Sequence, residues 1–301
     1  MKPITTFLSY AKSHPFWLLG VTSFTVLIGS LCFFSFYQLL WGNADEALKY
    51  GFFAGLVGFT ATAIGSFPAF FIKTLPQKVE DSLLGASAGM MLAASVFSLL
   101  LPAIEASNYL YPTSKFMTLA VVCFGMVLGV LLLFAIDAMT PHIHRQIGHH
   151  GPQVASFSGT WLYAFTIVIH NFPEGMALGI SFVQPELEIG VPLTIAIALQ
   201  DIPEGLVVVL ALRALGLSNA KAVLFGMVSG LMEPIGALFG VFVSSGFPQA
   251  YPIGLALSAS AMIFVVSHEV IPETHRNGHQ TIATLGLMTG FTVMMILDYV
   301  F

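Results

Sequence analysis

Long apolar runs separated by short polar connections dominate the chain. Nine are long enough to cross about 30 Å of hydrocarbon: near 16–41, 50–72, 83–106, 116–139, 160–183, 190–212, 221–245, 252–270 and 281–300. The runs are continuous, not alternating, which in a membrane selects helices over a barrel. The pattern predicts an all-α polytopic membrane protein with about nine transmembrane helices.

Composition agrees. The 301 residues are 56% hydrophobic and 8% charged, against roughly 25% charged in soluble domains. Too few polar residues remain to cover a water-facing surface. Lys and Arg set the orientation. With the N-terminus inside, the inner connections hold Lys2, Lys12, Lys73, Lys78, Arg145, Arg213, Lys221 and Arg276. The outer ones hold Lys49 and Lys115. Nine crossings then leave the C-terminus outside. No basic patch for nucleic acid and no nucleotide-binding loop are present. Cys32 and Cys123 sit in apolar runs and do not form a disulfide framework or thiolate site. The first apolar run is too long for a signal peptide.

Against this background the acids stand out. Of fifteen, Glu174, Asp201, Glu204 and Glu233 lie well inside predicted spans, and Glu269 lies near the inner end of its span. Asp137 and Asp298 lie near span ends, where interfacial water solvates them. An ionised carboxylate at mid-membrane costs several kcal/mol. With almost no Lys or Arg in the same spans, these acids need protons, water or a bound cation, and a metal ion balances them most completely.

Spacing sharpens this. Ile169-His170-Asn171-Phe172-Pro173-Glu174-Gly175 is echoed thirty positions later by Leu199-Gln200-Asp201-Ile202-Pro203-Glu204-Gly205. His170 and Glu174, and likewise Gln200 and Glu204, are i, i+4 and share a helical face. Asn171 and Asp201 lie about 100° round, able to serve an adjacent position. Pro173 and Pro203 each remove a helix hydrogen bond, a break expected where backbone lines a polar cavity. The two helices are antiparallel, so the echo points to an inverted repeat with the site between its halves. Glu233, in Met232-Glu233-Pro234, again couples acid and proline and is expected at the same centre. One imidazole with several carboxylates suits first-row divalent metals, Zn²⁺ or Fe²⁺ in particular. The absence of thiolates suits a site that must release its cargo.

Two polar connections add candidates. The inner connection near 140–159 holds His142, His144, His149 and His150, either a solvated loop or a metal-catching arm. The outer one carries Glu186 and Glu188. Small residues such as Gly85, Ser87, Gly89, Gly226, Gly230, Gly236 and Gly240 are read as helix-packing positions without chemistry.

These motifs resemble the ZIP family of divalent-metal transporters. His170-Asn171-Phe172-Pro173-Glu174-Gly175 is similar to the family's fourth-span signature and Gln200-Asp201-Ile202-Pro203-Glu204-Gly205 to its fifth. Gly89-Met90-Met91-Leu92-Ala93-Ala94-Ser95 and Ser267-His268-Glu269-Val270-Ile271-Pro272-Glu273-Thr274-His275-Arg276 are closest to bacterial members. The resemblance implies a binuclear centre. One position takes Met91, His170, Glu174, Gln200 and Glu204. The other takes Asn171, Asp201 and Glu233, with Glu174 and Glu204 bridging. Met91 enters only by resemblance; by its surroundings it is a core methionine. His268 and Glu269 resemble a further site on the inward exit path. The resemblance also implies an eight-helix core over 46–301 with an added N-terminal helix in 1–45, a bacterial inner-membrane location, elevator-type movement and a homodimer. Common eukaryotic members have histidines at the positions of Gln200 and Glu204. The oxygen donors here leave Cd²⁺, Fe²⁺ and Mn²⁺ open beside Zn²⁺.

Uptake of a divalent metal ion into the cytoplasm is therefore the expected function. An intramembrane metalloenzyme competes with it, but no HExxH motif and no general base beyond the ligands are present. A membrane protein that senses or stores metal without moving it is the second competitor.

Overall fold

The computed structural model describes residues 15–42, 44–72, 74–139, 142–144, 148–150, 159–184 and 189–300. Nine helices among them follow the expected spans: α1 (Pro15–Leu40), α2 (Glu46–Ser66), α3 (Gln77–Leu110), α4 (Lys115–Met139), α5 (Gly159–Ile180), α6 (Gly190–Ala214), α7 (Asn219–Ser244), α8 (Ala250–His275) and α9 (Gln280–Val300). Eight of them are long and apolar enough to cross a membrane. The remaining one, α5, has 22 residues, enough for about 30 Å of hydrocarbon. Large apolar side chains such as Phe33, Phe116, Phe124, Phe242 and Met288 face outward, as a lipid-facing surface requires.

The helices pair in a two-fold pattern. α3 packs along α9 as α8 packs along α4, and α2 packs along α6 as α7 packs along α5. Exchanging α2–α4 with α7–α9, and α5 with α6, reproduces these pairs. The exchanged units are five spans apart, an odd number, so they run in opposite directions. This is the inverted repeat expected from the echoed motifs.

Glycines make the repeat possible, because backbones touch where a Cβ would intrude. A Cβ on Gly175 would collide with the Glu233 backbone, and one on Gly205 with the Thr62 carbonyl. Gly236 meets the Phe172 carbonyl as Gly65 meets that of Ile202. Farther out, Gly286 and Gly290 of α9 sit on Ser82 and Ala86 of α3. Gly125 and Gly129 of α4 sit on Ile253 and Leu257 of α8 in the same four-residue step.

Several local features differ from the sequence expectation. Helices α5 and α6 run on through Pro173 and Pro203 without interruption. A proline removes one donor only, and the closely packed neighbours hold the rest of the ladder. The discontinuity lies in α7, between Asn219–Ser229 and Met232–Ser244, just before Glu233-Pro234. α3 and α8 each contain a π-helical turn, Ser95–Leu100 and Val266–Val270. Each is followed at once by a proline pair, Leu101-Pro102 or Ile271-Pro272. The wider turn accommodates the bond that the proline nitrogen cannot donate.

The connection after α4 holds a short antiparallel hairpin, β1 (His142–His144) with β2 (Gly148–His150), not a featureless loop. His142 stands opposite His150 and Ile143 opposite His149 in its register. Glu186, Glu188, Lys2, Lys12, Lys73 and Arg145 lie outside the described residues. Asp298 is not merely solvated near a span end: it accepts a 2.6 Å hydrogen bond from Ser98 in the α3 π-turn.

The close backbone contacts generate a stability prediction. Gly175→Ala must separate α5 from α7, whereas Gly29 of α1 has nothing within 4 Å of an added Cβ. Gly175→Ala is expected to destabilise the detergent-solubilised protein by about 1–3 kcal/mol, the range for overpacking. Gly29→Ala is expected to leave its unfolding temperature unchanged in a thermal-shift assay.

Candidate metal centre

Helices α2, α5, α6 and α7 form one packed group; α3 with α9 and α4 with α8 form the other. The two groups meet where α3 touches α6 and α8 touches α5. Glu204 and His170 of the echoed motifs reach across this seam, while Asn171 and Asp201 line a cavity among α2, α5, α6 and α7. Gln200 and Glu233 are fully buried, Glu174 is 1% exposed, Asp201 3% and Asn171 4%. These groups have little exposed surface, so their partners decide whether the arrangement is tolerable.

Neutral donors tether one oxygen of three acids. Gln200 Nε2 donates to Glu174 Oε1 at 2.8 Å, Thr62 Oγ1 to Glu233 Oε1 at 2.8 Å, and Ser87 Oγ to Glu204 Oε2 at 2.9 Å. The remaining capacity is not filled. Gln200 Oε1, Asp201 Oδ2 and Glu233 Oε2 are buried without a hydrogen bond from an amide, hydroxyl or backbone donor. The carboxyls of Asp201 and Glu233 are set against each other, and Glu174 lies within electrostatic reach of Glu204 and Glu233. Among the described residues no Lys or Arg pairs with Glu174, Asp201, Glu204 or Glu233. Facing carboxyls with orphaned oxygens and no paired Lys or Arg have the donor chemistry that a cation would satisfy.

A small cavity lies beside Asn171 and Asp201. It is lined by Thr62, Asn171, Asp201, Glu204, Gly205, Val208 and Ser229, with about 10 Å³ free for a water-sized sphere. That is room for a single water or ion. Gly58 opens the adjacent space: a Cβ there would occupy the position of Glu233 Oε2.

His170 and Met91 are differently disposed. His170 Nε2 lies 2.6 Å from Glu269 Oε2, so the imidazole reaches across the seam to the π-turn of α8. Met91 is fully buried on α3, one turn from Ser87 and on the same helical face. Among the described residues no three His, Cys, Asp or Glu side chains already surround one point. The side chains bond one another instead. Glu269 contacts His170 directly. His268, the next residue back, turns away: its ring packs on Phe264 at 5.1 Å and lines a groove with Met126 and Val130.

Sequence reasoning missed the tethers. Ser87 was expected to be a packing residue, and Thr62 carried no signal beyond a hydroxyl in an apolar run. Their partners lie 117 and 171 positions away, and a single sequence does not encode such distances.

From the centre, one face of α6 carries Glu204, Val207, Ala211 and Ala214 at steps of three and four. The facing side of α3 carries Ser87, Leu84, Asp81 and Gln77. The last residues of both series line a cavity of about 600 Å³ with Arg213, Glu273 and Arg276. Its walls are fixed by polar ties. Asp81 accepts from Asn277 and Gln77, and its other oxygen lies 2.8 Å from His279 Nδ1. Arg213 donates to the Ala69 and Ile72 carbonyls, closing the end of α2.

Comparison with known proteins settles the lineage. A family model described as ZIP zinc transporter matches residues 142–298, which include both echoed motifs. The zinc transporter ZIPB of Bordetella bronchiseptica is 51% identical over 96% of this chain and 93% of its own length. This chain belongs to the ZIP zinc transporter family. Other relatives include zinc transporter GufA of Myxococcus xanthus, 39% identical over 82% of this chain and 97% of its own length. Human zinc transporter ZIP11 is 28% identical over 79% of this chain and 93% of its own. With its apolar helices, the ZIP-family chain is a multi-pass membrane protein.

The unpaired acids predict opposite effects of one substitution. Glu233→Gln replaces an acid crowded against Asp201 with a neutral amide of the same shape. It is expected to stabilise the metal-free protein by about 1–3 kcal/mol and to reduce the stabilisation gained on adding Zn²⁺. Thermal unfolding with and without Zn²⁺ reads both signs at once.

Proposed function

We propose that this ZIP-family protein carries divalent metal cations into the cytoplasm, Zn²⁺ foremost with Cd²⁺, Fe²⁺ or Mn²⁺ as alternatives. The cargo occupies a two-ion intramembrane site. Met91, His170, Glu174, Gln200 and Glu204 hold one ion. Asn171, Asp201 and Glu233 hold the other, with Glu174 and Glu204 between them. The single observation that carries this reading is the gathering of buried Glu174, Asp201 and Glu233 with half-buried Glu204, none of them paired with Lys or Arg among the described residues. A static structure gains little from such a cluster, whereas a passing cation neutralises it.

The mechanism follows from the grouping of helices. Helices α2, α5, α6 and α7 contribute most of the ligands and pack on one another through glycine contacts. They move as the carrier against α3, α4, α8 and α9. The cavity of about 600 Å³ lies at the end that holds Arg213 and Arg276, the cytoplasmic end by the charge bias. Cargo leaves along the Glu204–Val207–Ala211–Ala214 face of α6. Glu269 is suited to receive the ion from His170, because the two already share a short contact.

The relatives named zinc transporters support transport over catalysis. Ligands bind metal only when deprotonated, so acid pH is expected to compete with uptake.

His170→Ala and Glu204→Ala are each expected to reduce Zn²⁺ uptake into proteoliposomes at least tenfold, about 1.4 kcal/mol of lost ligand interaction, with expression retained. Uptake at the parent rate in either variant rejects the site. Vesicles that bind Zn²⁺ without accumulating it inside would instead indicate a metal-storing protein.

A further inference from the structure

The inverted repeat is followed closely by the backbone but not by the side chains at the seam. The second repeat lies 171 positions after the first, so Thr62 maps onto Glu233, Gly65 onto Gly236 and Ser87 onto Ser258. The echoed motifs lie thirty positions apart, so Pro173 maps onto Pro203 and Glu174 onto Glu204. The backbone contacts respect this mapping. Gly65 meets Ile202 as Gly236 meets Phe172, and Gly205 meets Thr62 as Gly175 meets Glu233.

Side-chain bonds across the seam break the symmetry. Ser87 Oγ of α3 donates to the carboxylate of Glu204 at 2.9 Å. Its image, Ser258 Oγ of α8, donates at 3.2 Å to the Pro173 carbonyl, one residue short of Glu174. Glu174 is held instead by Gln200 within its own helix group. The π-turns differ in the same sense. Glu269 reaches across the seam to His170, whereas Ser98, its image in the first repeat, bonds Asp298 within its own group. The two halves share one backbone plan and sit in two different side-chain states. Exchanging those states gives a second arrangement, open to the opposite face.

We propose that Ser87 and Ser258 are alternating positioning residues for the bridging glutamates. Ser87 holds Glu204 in the state seen here, and Ser258 takes Glu174 when the centre faces the other side. The proposal rests on the transport reading above. Each hydroxyl lends its hydrogen bond to one state only, so removing one serine shifts the balance between states and removing both restores it.

The test reads access instead of transport. A reporter, Ala211→Cys, is placed on the cavity wall in a Cys32→Ser, Cys123→Ser background. A membrane-impermeant maleimide then labels it from the cavity side in proteoliposomes. Ser87→Ala is expected to slow labelling by about tenfold, the weight of one hydrogen bond to a charged group. Adding Ser258→Ala is expected to return labelling toward the parent rate, and Ser87→Thr, which keeps a hydroxyl, should match the parent. Labelling of Ser87→Ala at the parent rate overturns the proposal, as does a double variant as slow as Ser87→Ala alone. Zn²⁺ uptake is followed in the same vesicles. If the parent background moves no Zn²⁺, the transport reading fails; normal uptake with unshifted labelling removes only the serine pair.

Discussion

Three buried carboxyl groups, Glu174, Asp201 and Glu233, with half-buried Glu204 beside them and no Lys or Arg paired to any of them among the described residues, are the constraint on which the rest depends. Interior charge of one sign is tolerated only where something else neutralises it. The surrounding architecture manages this cost without cancelling it. Gln200, Thr62 and Ser87 each restrain one carboxylate oxygen with a neutral donor. Such donors fix geometry and leave the negative charge available. Lys or Arg at these places would have filled the site permanently.

Close approach of backbones is the second half of the design. Glu233 sits where it does because Gly58 leaves space for its carboxylate and Gly175 lets α7 come against α5. The motif glycines Gly175 and Gly205 thus share the task of bringing Glu233 and Thr62 to the same point from opposite sides. Ligand residues and packing residues are interleaved within five positions of sequence, so the echoed motifs carry fold and chemistry together.

Much of this could be read in the chain because membrane helices are coded locally. Apolar length set the nine helices, and i, i+4 spacing put His170 with Glu174 and Gln200 with Glu204. The echo announced the inverted repeat, and the depth of Glu233 in its span placed it at the centre. What escaped depends on contacts between distant spans. Ser87 and Thr62 look like ordinary small or polar residues until α6 and α7 are beside them. Pro173 and Pro203 signalled a break, yet neighbouring helices hold those turns straight, and the interruption falls at Gly230–Leu231. The π-turns left no periodic trace because one wide turn barely disturbs an apolar run. His268 and Glu269, adjacent in sequence, diverge in space, since successive helical residues point about 100° apart.

The main-chain contacts among α2, α5, α6 and α7 have a mechanical consequence. Where carbonyls rest directly on glycine, no layer of bendable side chains lies between helices to absorb shear. Strain applied to that quartet cannot be dissipated inside it. It is passed to the boundary with α3 and α8, where serine hydroxyls and the His170–Glu269 contact are the fastenings. On the transport reading proposed above, that boundary is the plane along which the quartet would slide.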